Sequence, residues 1–227
     1  TALFDPSTIN RIQEHYQELL KSIMSDTTQT ISSLSMLTKQ EKYQLLDVFN
    51  DTDVAYPEDK TLIDLFEEQV KRTPNAIALK YEGESLSYKE LNKRSNQLGR
   101  YLREQNIGSS DLIGICIECS LEMIVGVLGI LKSGKAYLPI DPKYPTGRID
   151  YMLNDTGINL ALSSSSNVTV IKEREGLSVL YLDSDWDLIS NHSTRKLSNI
   201  WSPNYHAYTM YTSGTTGKPK GVMVTHG

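Results

Sequence analysis

The sequence has 227 residues and a formal net charge of -5, with 23 Lys and Arg against 28 Asp and Glu. Proteins that bind nucleic acid through surface charge carry clustered positive residues, and the absence of such a cluster argues against that class of function. Two cysteines are too few to stabilise a secreted domain of this size, which indicates a reducing compartment and predicts a cytoplasmic protein. The length allows one large domain or two small ones.

Membrane insertion and export are not predicted either. The most apolar stretch, residues 112–131, carries Glu118 and Glu122, and its uninterrupted part at 123–131 is too short to cross a bilayer. The first residues lack the basic and apolar regions of a signal peptide. Because there is no initiator Met, we expect the chain to be cut from a longer protein.

The N-terminal part of the chain reads as a helix followed by connecting segments. Apolar residues recur every three or four positions over residues 8–24, which predicts an amphipathic helix. Residues 25–35 are rich in Ser and Thr and predict a linker. A short helix is expected near 40–49 and a second connector at 50–60, which places a domain boundary between residues 50 and 57.

From Thr61 onward the pattern alternates between helix and strand. Thr61 is expected to cap one helix, and Ser87 with Glu90 forms the capping-box pattern that starts another. This alternation predicts an α/β fold with a mostly parallel sheet, flanking helices and right-handed crossovers. The predicted strands are 76–81, 85–87, 112–117, 136–140, 159–162, 178–182, 207–211 and 222–225, and the predicted helices include 87–108, 121–132 and 148–154.

The strongest chemical signal lies at residues 211–221, which contain four hydroxyls from Ser and Thr, three glycines and two lysines. Hydroxyls and lysines bind phosphate oxygens, and glycines let backbone N–H groups approach a ligand, so this composition predicts a phosphate-binding loop between two strands. It is not a Walker loop, because the first glycine of that motif is missing and Pro219 follows Lys218, where Ser or Thr is required. By composition alone, a mobile turn fits about equally well.

This segment resembles the signature of the adenylate-forming superfamily. Residues 86–91 and 131–141 resemble the first and second core motifs of the adenylation domains of nonribosomal peptide synthetases, and residues 3–20 are similar to the end of a condensation domain. The resemblance implies a condensation-domain tail at 1–25, a linker at 26–56 and an incomplete, N-terminal part of an adenylation domain at 57–227.

The family activity implied is that of an ATP-dependent ligase. The parent protein would convert an amino acid and ATP to aminoacyl-AMP and pyrophosphate, with Mg²⁺, and pass the product to a phosphopantetheine thiol. Its partners would be the amino-acid substrate and the condensation and peptidyl-carrier domains of the same synthetase. The catalytic and metal-binding residues are expected downstream of Gly227, so the chain alone should be inactive. The residues implied to bind the ATP phosphates are Thr212, Ser213, Gly214, Thr215, Thr216, Gly217 and Lys220.

Three weaker interpretations remain beside this one. The chain could belong to an acyl- or aryl-CoA ligase, which shares the phosphate loop, or act as a non-catalytic half of a split domain. Cys116 and Cys119 have the spacing of a redox or metal motif, but Cys116 falls within an apolar strand and no metal site is expected. His226 is expected in a solvent-facing turn.

Overall fold

A computed structural model describes residues 3–105, 111–172, 175–198, 200, 202–212 and 219–227. The chain forms two compact units, Thr1–Tyr56 and Pro57–Gly227. No helix in the described ranges is long and apolar enough to span a bilayer.

The first unit contains two helices, α1 (Pro6–Ser25) and α2 (Lys39–Leu46), which confirms the two helices predicted there. The side chain of Asp5 caps α1, and Thr38 caps α2 through a capping box with Glu41. The two helices are joined by His15, whose Nε2 lies 2.7 Å from a carboxylate oxygen of Glu41. No described side chain in this unit is buried.

The second unit contains a six-stranded sheet and a separate two-stranded sheet. The strands are β1 (Ile77–Tyr81), β2 (Glu84–Ser87), β3 (Leu112–Cys116), β4 (Ala136–Pro139), β5 (Leu160–Ser163), β6 (Ser178–Tyr181), β7 (His206–Thr212) and β8 (Lys220–Thr225). The six-stranded sheet has the order β6-β5-β3-β4-β7-β8. Five neighbouring strands are parallel, and β8 is antiparallel to β7 at the edge. The predicted α/β class with a mostly parallel sheet and flanking helices is therefore confirmed. The helices are α3 (Leu62–Arg72), α4 (Tyr88–Glu104), α5 (Leu121–Ser133), α6 (Thr146–Thr156) and α7 (Trp186–Ser190).

Helix ends in this unit follow the local chemistry of the sequence. Thr61 caps α3 in a capping box. Ser87 caps α4 in the same way, and its Oγ accepts a hydrogen bond from the backbone N–H of Glu90 at 3.3 Å. Helix α5 ends at Gly134, which has φ 91°. A residue without Cβ adopts this left-handed conformation at little cost, so glycine is suited to end the helix there.

Strands β1 and β2 form a separate antiparallel pair joined by a two-residue turn. Both turn residues, Glu82 and Gly83, have positive φ, at 46° and 90°. Two positive φ angles in succession are typical of the type I′ turn, whose twist matches that of a hairpin. The pair packs beside α4, which begins directly after Ser87.

The sheet buries apolar side chains on both faces because successive side chains in a strand point to opposite sides. Strand β3 shows this directly, since Ile113 and Ile115 pack with α4 and α5 whereas Cys116 packs with α6. The contact between α4 and α5 is close at Gly129, where an added Cβ would lie 2.9 Å from the Cβ of Leu98. A central sheet covered by helices thus forms the core of this unit.

Two predicted details of the helices differ from the structure, and a third is not tested by it. Helix α7 was not predicted, because five residues are too short to show a helical period. Helix α6 begins at Thr146, before the predicted start at Arg148. Helix α4 is described to Glu104, and its predicted end near Gly108 lies outside the described residues.

Candidate functional site at the carboxyl edge of the sheet

The segment predicted to bind phosphate connects β7 and β8. Thr212, the last residue of β7, pairs with Lys220, the first residue of β8, and both side chains are exposed. The structure therefore brings these two predicted site residues together, face to face at the base of the connection. The other predicted phosphate-binding residues, which are Ser213, Gly214, Thr215, Thr216 and Gly217, lie outside the described residues.

The position of this hairpin in the sheet is informative. Because β7 runs parallel to β4, its last residue lies at the carboxyl edge of the sheet. Strand β4 lies on one side of β3 and β5 on the other, so the chain changes direction across the sheet at β3 and β4. In open α/β sheets, ligands bind outside the carboxyl ends of the strands at such a switch point.

A cavity of about 710 Å³ lies at this edge. It is lined by the residues that follow β3 and β4, including Glu118, Cys119 and Asp141, and by Met210 and Tyr211 of β7. Much of the remaining lining is apolar, from Ile117, Met123, Ile124, Val127, Pro139, Ile140 and Met152. The cavity can therefore surround an apolar group while placing carboxylates beside it, and it extends to the strand that carries Thr212.

Helix α6 contacts the hairpin on both sides of the connection. The hydroxyl of Tyr211 donates a hydrogen bond to the carboxylate of Asp155, and the hydroxyl of Tyr151 donates to the backbone carbonyl of Pro219 at 3.3 Å. Burial, followed by the hydrogen bond to the Asp155 carboxylate, raises the pKa of Tyr211. The phenol is therefore protonated at neutral pH and acts as a donor. Neither contact was predicted from the sequence.

His226, directly after β8, is 8% exposed, so the predicted solvent-facing position is wrong. Its backbone N–H donates to the carbonyl of Tyr205 at 3.0 Å. Within the described part of the chain, its Nδ1 has no hydrogen-bond partner. Burial lowers the pKa of this histidine, which keeps the imidazole neutral at pH 7. The backbone pairing with the start of β7 explains the burial, because it draws the end of β8 against the sheet.

The two cysteines occupy different environments. Cys116 is buried in β3, and burial raises the pKa of its thiol to about 12, whereas Cys119 is exposed. A thiol with so high a pKa is a poor nucleophile and a poor metal ligand. In the ranges that the structure describes, no three His, Cys, Asp or Glu residues are grouped as metal ligands.

The two other sequence motifs build the frame of the site. Residues 86–91 contain the buried Leu86 and Leu91 and the cap of α4. Residues 131–141 span the end of α5 and all of β4, with Leu138 and Ile140 buried. These segments fix the strand whose carboxyl end opens into the cavity.

The family comparison agrees with this architecture. The family model described as AMP-binding enzyme matches residues 66–227. Gramicidin S synthase 2 of Brevibacillus brevis is 40% identical over 226 residues, which is 100% of this chain and 5% of that protein. Tyrocidine synthase 3 of Brevibacillus parabrevis is 43% identical over 226 residues, which is 100% of this chain and 4% of that protein. The chain thus spans a small fraction of the length of these relatives.

Solved structures give the same result. The nonribosomal peptide synthetase FmoA3 in an AMPPNP-bound form matches with a TM-score of 0.71 and 30% identity, covering 98% of this chain and 24% of that chain. The N-terminal subdomain of Klebsiella oxytoca NpsA matches with a TM-score of 0.64 and 28% identity, covering 75% of this chain and 43% of that chain.

The fold and site define an α/β protein with a cavity at the carboxyl edge of a mostly parallel sheet. The chain belongs to the AMP-binding enzyme family. The predicted resemblance to the N-terminal part of a nonribosomal peptide synthetase adenylation domain is confirmed by the relatives and structures above.

Proposed function

We propose that this chain is the N-terminal part of an amino-acid adenylation domain in a cytoplasmic nonribosomal peptide synthetase. The parent protein would join an amino acid to ATP, giving aminoacyl-AMP and pyrophosphate, and pass the aminoacyl group to the phosphopantetheine thiol of a peptidyl-carrier domain. Residues 57–227 would belong to the adenylation domain, residues 26–56 to a linker, and residues 1–25 to the tail of a condensation domain.

One observation carries the proposal. The β7–β8 hairpin, whose connecting sequence is rich in hydroxyls, glycine and lysine, begins at the carboxyl edge of the sheet. The family to which the chain belongs is described as AMP-binding enzyme. The same edge holds the 710 Å³ cavity, which reaches Met210 and Tyr211 of β7. A nucleotide held at the hairpin would therefore lie next to a space for a second, partly apolar reactant.

The site residues would act by binding and by electrostatics. Thr212, Ser213, Gly214, Thr215, Thr216 and Gly217 would offer hydroxyl and backbone donors to the β and γ phosphates, and Lys220 would offset their charge. Donors fixed before the reaction lower the barrier when they stabilise charge that grows on the departing pyrophosphate. Mg²⁺ would supply further charge neutralisation when bound with ATP.

The relatives favour a peptide synthetase over a CoA ligase. Gramicidin S synthase 2 and tyrocidine synthase 3 align with essentially the whole chain, including the first unit that precedes residue 57. That alignment supports a multidomain setting in which condensation and carrier domains are the partners. It favours amino acids over fatty or aryl acids as the substrate class.

The proposal is tested in the full-length synthetase that contains this sequence, by amino-acid-dependent exchange between ATP and pyrophosphate. We expect Lys220→Ala and Ser213→Ala each to lower the exchange rate, with a loss of the order of 100-fold for a donor aimed at the developing charge. Lys80→Ala is the matched control, because Lys80 is an exposed lysine on β1. It should leave exchange within about twofold of the wild-type rate.

Two results would contradict the proposal. One is a wild-type synthetase that shows no exchange with any proteinogenic amino acid although it is folded and carries its downstream residues. The other is normal exchange in both the Lys220 and Ser213 variants.

A further inference from the structure

We propose that helix α6 positions the phosphate-binding hairpin through Tyr151 and Asp155, which hold the two sides of the loop at its base. This inference rests on the proposed function of the hairpin. It assigns a positioning role to two residues that lie about 60 positions before the loop in the sequence.

The first anchor acts on the strand that enters the loop. Tyr211 precedes Thr212, and the residue is 7% exposed. Its hydroxyl donates to the carboxylate of Asp155 near the end of α6. A hydrogen bond to an ionised acceptor is among the stronger ones in proteins, and the carboxylate fixes the direction of the phenol. The position of β7 at its carboxyl end is therefore tied to α6.

The second anchor acts on the chain that leaves the loop. Tyr151 donates to the carbonyl of Pro219, the residue before Lys220, at 3.3 Å. Proline has no backbone N–H, so its carbonyl is the only backbone group through which this residue can be held by a hydrogen bond. The two anchored residues, Tyr211 and Pro219, bracket the residues implied to bind phosphate except Lys220, which directly follows Pro219.

Both anchors come from one face of one helix. Tyr151 and Asp155 are four residues apart, a spacing that places side chains next to each other on a helix. The rings of Tyr151 and Tyr211 also meet edge to face, with centroids 6.2 Å apart and an interplanar angle of 85°. This contact connects the two hydrogen bonds into one arrangement.

Helix α6 is itself held firmly, which a positioning element requires. Its opposite side chains Ile149, Met152 and Leu153 are 1%, 1% and 5% exposed and pack in the core beneath the sheet. Movement of the helix would disturb that core, so α6 provides a fixed reference for the loop.

Gly221 makes room for the first anchor. It pairs with Tyr211 across the β7–β8 ladder, and a Cβ at this position would lie 3.3 Å from Cζ of the Tyr211 ring and 3.1 Å from Cγ2 of Thr209. The glycine therefore lets the aromatic ring lie against the neighbouring strand. Its place in the motif has a packing reason in addition to any contact with ligand.

The chemical effect of such anchors is preorganisation. Hydrogen-bond donors stabilise phosphate oxygens less well when the residues that hold the donors allow them to move by about 1 Å. Removing an anchor should therefore weaken the use of ATP and pyrophosphate more than the use of the amino acid, which separates a loop-positioning role from a general loss of folding.

The test uses the full-length synthetase with the variants Tyr151→Phe, Tyr211→Phe, Asp155→Asn and the Tyr211→Phe, Asp155→Asn pair. We expect the KM for ATP or pyrophosphate to rise, or kcat of exchange to fall, by about 5- to 20-fold, while the KM for the amino acid stays within about twofold. Because Tyr211 and Asp155 act together, the double variant should lose no more than the worse single variant. Tyr208→Phe is the control, since Tyr208 lies on the same strand and His206 contacts its backbone carbonyl, whereas its hydroxyl has no hydrogen bond among the described residues.

A second measurement does not depend on catalysis. Trypsin cleaves after Lys220, and the peptide that begins at Gly221 can be followed by mass spectrometry under native conditions. The anchor variants should release this peptide several times faster than the wild type, with unchanged cleavage after Lys80 on β1 and an unchanged melting temperature.

The inference is overturned if the anchor variants match Tyr208→Phe in both kinetics and cleavage. It is also overturned if the variants change every KM, the melting temperature and the cleavage rate at every site by similar factors. The residues would then stabilise the fold as a whole and not the loop in particular. Faster cleavage after Lys220 in a synthetase that performs no exchange would instead reject the proposed function and leave the anchoring intact.

Discussion

The two units of the chain both contain amphipathic helices and capping boxes, but they bury their apolar side chains to different degrees. Helices α1 and α4 are both amphipathic, but α1 buries no residue, whereas α4 buries Leu91, Leu98 and Leu102. Helices α2 and α3 both begin with a complete capping box. The difference shows that amphipathicity defines which side of a helix is apolar and leaves open whether anything covers that side within the chain.

The energetics of the units differ accordingly. In the second unit, strands and helices remove apolar side chains from water, which is the dominant stabilising term in folding. In the first, the described stabilising contacts are helix caps and polar pairs such as that of His15 with Glu41. Substitutions at equivalent positions should therefore have unequal costs in the two units.

The largest contrast is expected between Leu98→Ala and Ile12→Ala. Leu98 is fully buried against α5, and its truncation should lower the free energy of unfolding by about 3 kcal/mol through lost burial and a cavity. Ile12 is 55% exposed in α1, and its truncation should cost less than about 0.5 kcal/mol. Urea denaturation of the chain followed by circular dichroism measures both. Equal costs would show that the apolar side of α1 is covered in solution.

An effect of intermediate size is expected from Lys132 in the second unit, where the free energy of unfolding should depend on pH. This lysine is 1% exposed, and its Nζ donates to the side-chain oxygens of Asn92 and Asn96 at 2.5 and 2.7 Å and lies 5.1 Å from the centre of the Phe66 ring. Glu67 and Lys196 are the charged groups that act on it. Burial lowers its pKa from 10.5 to about 7, against the attraction of Glu67.

The sign of the pH effect follows from proton uptake on unfolding. Between pH 7 and 10.5 the unfolded chain holds a proton on Lys132 that the folded chain has released, so the free energy of unfolding rises with pH in this window. The rise attributable to this residue is at most about 1.4 kcal/mol per pH unit. Urea denaturation at pH 7.5 and 9.5 should show the rise in the wild type and a weaker one in Lys132→Met. Identical slopes would mean that the ammonium stays charged in the folded protein.

The smallest contrast concerns the two capping boxes. Thr61 is 1% exposed, and Thr61→Ala should lower the free energy of unfolding by about 1 to 2 kcal/mol, because the cap also orients α3 against the core. Thr38→Ala removes the same chemistry from an exposed helix and should cost about 0.5 kcal/mol. Thermal unfolding of the two variants compares them. A larger loss of stability from Thr38→Ala than from Thr61→Ala would contradict the expectation that substitutions cost more in the second unit.

Local features of the fold were predictable from the sequence because short-range chemistry determines them. The caps at Thr61 and Ser87 and the helix end at Gly134 follow from side chains within three or four residues. The α/β class follows from the alternation of helical and strand periods. The two strands that flank the phosphate-binding segment follow from the apolar runs on either side of it, although the structure extends their pairing to Thr212 and Lys220. Each of these depends on few residues close in sequence.

Long-range contacts were not predictable in the same way. Tyr211 and Asp155 are separated by 56 positions, and nothing in either segment specifies that α6 lies beneath β7. His226 was misassigned for the same reason, because a turn next to a polar loop suggests exposure until the strand order is known. The cavity at the carboxyl edge likewise combines segments from four strands and could be located only after they were ordered.

Strand β8 lies at the edge of the sheet with its side chains largely in solvent, including Val222 at 48% and Met223 at 76% exposure. Among the described strands it pairs with β7 alone, so its outer backbone groups are available to another extended segment. Preparations of this polypeptide should therefore self-associate as concentration increases.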